Sequence, residues 1–204
     1  MNNQEKFWKG NFGNKYINRN QKKLIKNNYT LFKKIFNNKM ISSISSVIEF
    51  GANIGNNLHA FNKLSKKSKK FTAVEINSQA CRVLKKNFKN LEVINTSIKE
   101  YVPKKKFNLV IVKGVLIHIN PKDLNKIYKL IFASSDKYIL FAEYYSPKPV
   151  MISYRGHKNK LFKRDFAGEF LKKFKRTKLV DYGFAYHRDK YPQDDLNWFL
   201  ISKN

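Results

Sequence analysis

A short apolar segment that runs directly into a glycine turn constrains the fold of this chain more than any other feature. Residues 47–50 (Val-Ile-Glu-Phe) have the character of a buried strand, and Gly51 and Gly55 follow within five positions. A helical spacing of apolar residues begins at Asn56, where the turn ends. Glycine permits a backbone with φ > 0 and a close ligand approach that a Cβ would block. This order of strand, glycine turn and helix predicts a nucleotide-binding crevice.

The alternation of strand and helix continues along most of the chain. The apolar segments predict strands at 44–50, 71–75, 91–95, 107–112, 137–143, 177–186 and 197–202. Helices are predicted over 20–38, 56–64, 78–88, from Asn120 onwards, and over 163–174. The last two strands are joined by too few residues for a helix, so we expect them to pair antiparallel. Residues 144–162 are predicted to be irregular, and the whole pattern indicates an α/β fold with a mostly parallel sheet covered on both faces.

The net charge of the chain is extreme. It has 42 Lys+Arg against 14 Asp+Glu, a formal charge of +28. Such a charge is typical of nucleic-acid partners, but lysine-rich sequences with much asparagine and isoleucine also follow from A/T-biased codons. The lysine runs at 66–70, 104–106 and 172–176 precede strands, which places them opposite the predicted crevice. Their position favours the compositional interpretation, although lysines 22, 23, 33 and 34 could still surround the mouth of the crevice.

The cysteine count and the length of the apolar runs indicate the cellular compartment in which the protein is expected. Cys81 is the single cysteine, so no internal disulfide can form. No apolar run approaches the roughly 20 residues that a membrane span needs, and the N-terminus lacks the apolar core of a secretory signal. We therefore predict a cytoplasmic protein with no membrane partner. The sequence predicts no oligomeric state and no metal site.

Residues at the ends of the predicted strands should form the binding site, because ligands of open α/β sheets lie outside the carboxyl ends of the strands. Glu75 ends the second strand, about 20 residues after the glycines, where an acid can accept hydrogen bonds from both ribose hydroxyls of an adenosine. The glycine turn lacks the G-x-G-x-x-G and G-x-x-x-x-G-K-[ST] patterns of phosphate-binding loops. The sequence therefore predicts a nucleoside ligand without phosphates.

Glu49 to Gly55, Val74-Glu75-Ile76, the strand 107–112 and the closing antiparallel pair together resemble the class I S-adenosylmethionine-dependent methyltransferases. The resemblance covers about residues 44–203. It implies a Rossmann-like, seven-stranded, mostly parallel sheet with an antiparallel C-terminal strand, and S-adenosyl-L-methionine as cofactor. It also divides the chain into an N-terminal helical lid, residues 1–40, and a methyltransferase domain, residues 41–204. Asn53 stands where the usual motif has its middle glycine.

A narrower resemblance, to the methyltransferases associated with pseudaminic acid biosynthesis, extends over almost the whole length. It rests on residues 8–20, 114–121, 154–157, 162–166, 186–189 and 198–200. It implies methyl transfer to a hydroxyl or amine of a small polar acceptor, such as a sugar or nucleotide-sugar of a nonulosonate pathway.

The two resemblances and the strand ends give the expected site residues. Those expected to bind the cofactor are Tyr16, Arg19, Glu49, Gly51, Ala52, Asn53, Gly55, Glu75, Ile76, Ser97, Ile98, Lys113 and Gly114. His118 is the candidate catalytic base, since an imidazole can take a proton from the acceptor as the methyl group leaves sulfur. The long segment after the fifth strand is the candidate substrate wall, with Tyr145, Tyr154, Arg155 and His157.

Several alternatives remain open at this point. His118 could instead pack as a structural histidine against the lid, and Lys113 could contact the cofactor only through its backbone carbonyl. Arg19 could bind the cofactor carboxylate or an acidic substrate. The whole chain could instead methylate RNA, or bind S-adenosylmethionine or another nucleoside without catalysing a reaction.

Overall fold

The computed structural model describes residues 1–19, 23–65 and 67–204. Its strands are β1 Ser46–Phe50, β2 Lys70–Glu75, β3 Leu91–Asn95, β4 Phe107–Lys113, β5 Ser135–Glu143, β6 Val150–Tyr154, β7 His157–Lys163, β8 Thr177–Ala185 and β9 Leu196–Lys203. Its α-helices are α1 Asn3–Lys9, α2 Asn11–Ile17, α3 Lys23–Ile35, α4 Asn38–Ser43, α5 Asn56–Leu64, α6 Ser78–Asn87, α7 Leu124–Ser134 and α8 Phe166–Lys173. Two 3-10 turns, Leu116–His118 and Pro121–Asp123, precede α7.

Seven strands form one sheet in the order β3-β2-β1-β4-β5-β9-β8. Neighbouring pairs from β3 to β5 are parallel, and β9 is antiparallel to both β5 and β8. The strand order reverses between β1 and β4, which is where open α/β sheets bind their ligands. The predicted α/β class and the antiparallel C-terminal strand are confirmed.

Two aromatic cores cover the two faces of the sheet. On one face α3 packs on α5, with the ring centroids of Phe32 and Phe36 at 6.0 and 5.3 Å from that of Phe61. On the other face Phe141 of β5 lies 5.2 Å from Phe170 of α8. α3 therefore belongs to the core that supports the glycine turn, although it lies within the extension predicted for residues 1–40.

Three segments differ from the sequence-based expectation. Residues 144–162 are not irregular throughout, because β6 and β7 form an antiparallel hairpin outside the main sheet. The N-terminus, which shows no clean period, folds as two seven-residue helices, α1 and α2. Helix α3 ends at Ile35 and α4 occupies part of the predicted break, while residues 20–22 of the predicted helix lie outside the described residues.

Two lysines at the edge opposite the glycine turn have structural roles. The Lys69 amine donates to the carbonyl of Ile41 at 2.8 Å and to that of Ile44, at the end of α4. The Lys203 amine donates to the carbonyl of Phe132 at 2.7 Å, near the end of α7. A cation at a helix C-terminus satisfies free carbonyls and the helix dipole. Within the described ranges, no helix is both long and apolar enough to cross a membrane.

Candidate active site

A cavity of about 530 Å³ lies at the carboxyl ends of β1, β2, β4 and β5, at the point where the strand order reverses. This volume suits a small-molecule ligand. The structure brings fourteen of the expected residues to its wall: Tyr16, Arg19, Gly51, Ala52, Asn53, Glu75, Ile76, Ser97, Ile98, Lys113, Gly114, His118, Tyr154 and Arg155.

Four expected residues do not line the cavity. Gly55 lies behind the turn as the N-cap of α5, and Glu49 is buried beneath it. Tyr145 is 40% exposed and packs on Phe199 at a centroid distance of 6.1 Å. His157 packs on the ring of Phe7, at 4.9 Å, on the outer surface.

The glycine turn explains why asparagine replaces the middle glycine. Gly51 and Gly55 have φ of 68° and 82°, and Asn53 has φ of 49°. Asparagine is one of the few residues that adopt this left-handed conformation readily, and its Oδ1 accepts from the Ile54 amide at 2.8 Å. Position 51 requires glycine for a second reason besides its positive φ. A Cβ at this position would lie 2.5 Å from a methyl group of Val115.

Glu75 holds the turn and faces the cavity. Its Oε2 accepts from the Asn53 amide and its Oε1 from the Asn77 amide, both at 2.7 Å. Burial raises the pKa of Glu75, against the effect of these backbone donors. A carboxylate oxygen has more than one acceptor position, so Glu75 can also accept from a vicinal diol.

Glu49 lies beneath the turn rather than on the cavity wall. It is 1% exposed, and its Oε1 accepts from Asn57 Nδ2 at 2.6 Å. Its Oε2 has no hydrogen-bond partner among the described residues. Burial raises the pKa of Glu49 to about 8, so the folded protein holds this carboxyl largely protonated at neutral pH.

Helices α1 and α2 close the cavity from above, and we call them the lid. At the end near β3, Ser97 Oγ donates to Glu5 Oε1 at 2.6 Å, and the Lys99 amine lies 3.4 Å from both Glu5 and Asp123. Asn77 Nδ2 donates to Asn14 Oδ1 at 2.8 Å. The lid is therefore fastened to the loops that follow β2 and β3.

His118 lies under the lid as a neutral imidazole. Its ring is 7% exposed and lies 4.6 Å from the ring of Trp8 and 4.8 Å from that of Tyr154. Burial lowers the pKa of His118 to about 4. Its Nδ1 lies 2.7 Å from the carbonyl oxygen of Lys160, which can only accept. Nδ1 therefore carries the proton, and Nε2 keeps a free lone pair.

Glu143 fixes the turn that carries His118. Its carboxylate accepts from the amides of Val115 and Leu116 at 2.9 Å and from that of Ile117 at 3.4 Å. Burial raises the pKa of Glu143 to about 7. The turn begins after Lys113, whose own pKa is lowered by burial.

The other end of the cavity is rich in tyrosine. The hydroxyls of Tyr16 and Tyr154 are hydrogen-bonded to each other, and burial raises the pKa of Tyr16. Burial likewise raises the pKa of Tyr144 to about 12. The hydroxyls of Tyr16 and Tyr144 are therefore neutral at pH 7. Asp194 and Arg155 are exposed at the opening of this end.

Sequence reasoning did not assign several lining residues: Asn2, Glu5, Trp8, Asn28, Asn77, Lys99, Asp123, Glu143, Tyr144, Gln193 and Asp194. One local signal was present, since Asn2 and Glu5 form a capping box at the start of α1. Gln193 arrives from the loop before β9, held by a hydrogen bond from its Nε2 to Asn28 of α3 at 3.2 Å. No local pattern predicts that contact. Within the described part of the chain, no three His, Cys, Asp or Glu side chains are grouped to hold a metal ion.

Comparison with known proteins gives fold similarity but no sequence family. The chain matches no family model and no curated protein. Among solved structures, it is similar to the plantazolicin methyltransferase BpumL in complex with S-adenosylhomocysteine, at TM-score 0.68 and 12% identity, covering 98% of this chain and 94% of that one. It is also similar to an S-adenosylmethionine-dependent methyltransferase from Clostridium acetobutylicum, at TM-score 0.66 and 11% identity, covering 95% and 100%.

A third similar structure is the 1,6-didemethyltoxoflavin-N1-methyltransferase of Burkholderia thailandensis, solved with its substrate and S-adenosylhomocysteine. It matches at TM-score 0.64 and 13% identity, covering 89% of this chain and 78% of that one. At these identities the similarity shows the fold. The chain has the fold of the class I S-adenosylmethionine-dependent methyltransferases.

Proposed function

We propose that this protein is an S-adenosylmethionine-dependent methyltransferase that acts on a hydroxyl or amine of a small polar acceptor. One observation carries the proposal. One cavity at the switch point of the sheet, covered by the lid, has the carboxylate of Glu75 on one wall, where it can accept hydrogen bonds. The neutral imidazole of His118 lies on another wall of the same cavity. The fold and the molecules bound in the similar structures support it.

The chain's residues fit the parts of the cofactor. Glu75 would accept from the ribose hydroxyls, and Ser97 and Ile98 would border the adenine. The loop with Lys113 and Gly114 would contact the methionine part, with Arg19 near its carboxylate. When bound, S-adenosylmethionine supplies an electrophilic methyl group on a sulfonium. The protein then has to align the acceptor and exclude water, and ideal alignment alone can be worth roughly 7–11 kcal/mol.

His118 supplies the proton acceptor in this proposal. Its Nε2 lone pair can take the proton that the acceptor hydroxyl or amine loses as the new bond forms. The Lys160 carbonyl accepts the Nδ1 proton of His118 in a hydrogen bond and so leaves Nε2 unprotonated. Glu143 holds in place the turn that carries His118. Trp8 and Tyr154 flank the ring of His118. His118 acts as a base when the methyl acceptor binds beside Nε2.

The acceptor class and the compartment are also proposals. The resemblance to pseudaminic acid-associated methyltransferases supports a sugar or nucleotide-sugar acceptor, and we place the protein in the cytoplasm. The enclosing lid supports a small molecule over RNA. We assign the lid role to α1 and α2, within the extension predicted for residues 1–40.

Calorimetric titration with S-adenosylhomocysteine tests the proposal. The wild type should bind, and Glu75→Gln should bind roughly 10- to 100-fold more weakly, since a hydrogen bond to a charged group is worth about 1.5–3 kcal/mol. Glu100→Gln, at an exposed position, is the matched control and should bind like the wild type. Absence of binding by the folded wild type would refute the proposal.

A further inference from the structure

The tip of the β6–β7 hairpin places an arginine where its backbone is unfavourable. Tyr154 pairs with His157, so the loop consists of the two residues Arg155 and Gly156. Both have positive φ, 51° and 80°, as in a type I′ turn, whose first central position favours Asn, Asp or Gly. For other L-residues the left-handed conformation costs roughly 1–2 kcal/mol. Backbone outliers of this kind cluster at functional sites, where other constraints maintain them.

The side chain of Arg155 lies at the tyrosine-rich end of the cavity. Its guanidinium lies 5.6 Å from the ring centroid of Tyr154, and the interaction with the Tyr154 side chain raises the pKa of Arg155. Among the described residues, no carboxylate forms an ion pair with it, whereas Arg164 is paired with Glu169 at 2.7 Å. Arg155 is therefore a cation without an ion-pair partner among the described residues, at the edge of a binding cavity.

The surroundings of Arg155 leave its charge largely uncompensated. The hydroxyls of Tyr16 and Tyr144, whose pKa values are raised by burial, are neutral at pH 7. Asp194 is a carboxylate whose charge acts on Arg155, but it forms no ion pair with Arg155, and its charge also acts on Lys113.

From this geometry we infer that the methyl acceptor carries an anionic group, a carboxylate or a phosphate, and that Arg155 binds it. The inference rests on the proposed function and specifies its substrate class. A planar guanidinium binds either group through two parallel hydrogen bonds. The anion would take the place of the Tyr154 hydroxyl on Arg155, which brings the neutral part of the acceptor towards His118, whose ring lies 4.8 Å from that of Tyr154.

Nuclear magnetic resonance of the arginine side chains tests this inference directly. The ¹⁵N-labelled full chain, saturated with S-adenosylhomocysteine, is titrated with sodium malonate and separately with sodium pyrophosphate. The Arg155 Nε–H resonance should shift saturably, at concentrations about tenfold lower than those of the exposed Arg82 and Arg188, a difference of about 1.4 kcal/mol. Tighter binding of malonate would identify a carboxylate, and tighter binding of pyrophosphate a phosphate.

Two variants separate anion binding from folding. Arg155→Asn suits the type I′ turn, so it should melt at the same temperature as the wild type or higher, yet lose the selective binding of the anion. Arg155→Lys keeps the charge but not the paired hydrogen bonds, so it should bind more weakly than the wild type. Unchanged anion binding in Arg155→Asn would overturn the inference.

The other outcomes are also decisive. If Arg155 shifts no earlier than Arg82 and Arg188, or if Arg19 shifts first, the anion does not select Arg155 and the inference is wrong. If S-adenosylhomocysteine fails to bind, that result counts against the methyltransferase proposal alone. The anion titration is then read on the unliganded protein, in which Arg155 lies at the tyrosine-rich end of the cavity.

Discussion

Replacing the buried Glu49 by glutamine should remove a specific pH dependence of stability. The pKa of Glu49 is about 8 in the folded protein against an ordinary value of 4.5. Between these values the folded state holds a proton that the unfolded state has lost. The free energy of unfolding therefore falls as pH rises, by about 1.4 kcal/mol for each pH unit. Glutamine cannot ionise, so the Glu49→Gln variant lacks this decline.

The structure makes glutamine a close mimic of the protonated acid. Its Oε1 can keep the hydrogen bond from Asn57, and its amide nitrogen replaces Oε2, which has no partner among the described residues. The two proteins should be similarly stable well below about pH 4.5, where Glu49 is protonated in both the folded and the unfolded state. The variant should be more stable by about 1.4 kcal/mol at about pH 5.5 and by about 4 kcal/mol at about pH 7.5, so the difference widens by about 2.7 kcal/mol over these two pH units.

Equilibrium urea unfolding, followed by circular dichroism at both pH values, measures this difference. The comparison with wild type cancels the titration of all other groups, including Glu143. The exposed Glu100→Gln variant is the control for replacing a carboxyl group by an amide at the surface. The difference in free energy of unfolding between Glu49→Gln and wild type should change with pH. A difference that stays constant from about pH 5.5 to 7.5 would refute the raised pKa of Glu49 and the argument from its burial.

Two further predictions concern the turn and the base. Asn53→Gly should change the urea midpoint little, whereas Asn53→Val should lower the free energy of unfolding by about 1–2 kcal/mol, because valine disfavours φ of 49°; equal stability of the two variants would contradict this reasoning. In two-dimensional ¹⁵N spectra, His118 should carry its proton on Nδ1 at pH 7 and gain a second only near pH 4. Because its pKa is lowered, its contribution to stability is lost as pH falls from about 6.5 towards 4; a ring that titrates near 6.5 would exclude the buried, neutral imidazole.

The centre of the parallel sheet is largely predictable from the sequence because strands such as β1 and β4 are buried on both faces. Such strands are nearly continuous apolar runs with clear ends, and the segment predicted at 107–112 matches β4 to within one residue. The hairpin is harder to predict, since β7 begins with His-Lys-Asn-Lys and is exposed along that part. The lid helices are short, and their aromatic residues pack on one another rather than along one helical face.

The site is predictable only where it lies on those strands. Gly51, Glu75 and Lys113 are positioned by strand ends, so sheet topology alone brings them together. Glu5 and Asp194 reach the cavity from segments far apart in the chain. Their position depends on how the lid and the β8–β9 loop pack. The spacing of residues along the sequence does not predict this packing.

The unequal fastening of the lid has a consequence for turnover. At the β3 end the lid is held by the Glu5–Ser97 hydrogen bond and the Lys99 ion pairs, while the opening at Arg155 and Asp194 is exposed. In the proposed reaction an acceptor can enter and leave at the exposed end with the lid in place. If the spent nucleoside leaves at the β3 end, the Glu5–Ser97 contact must break once in every cycle. Opening of the lid at that end would then contribute to the maximal rate.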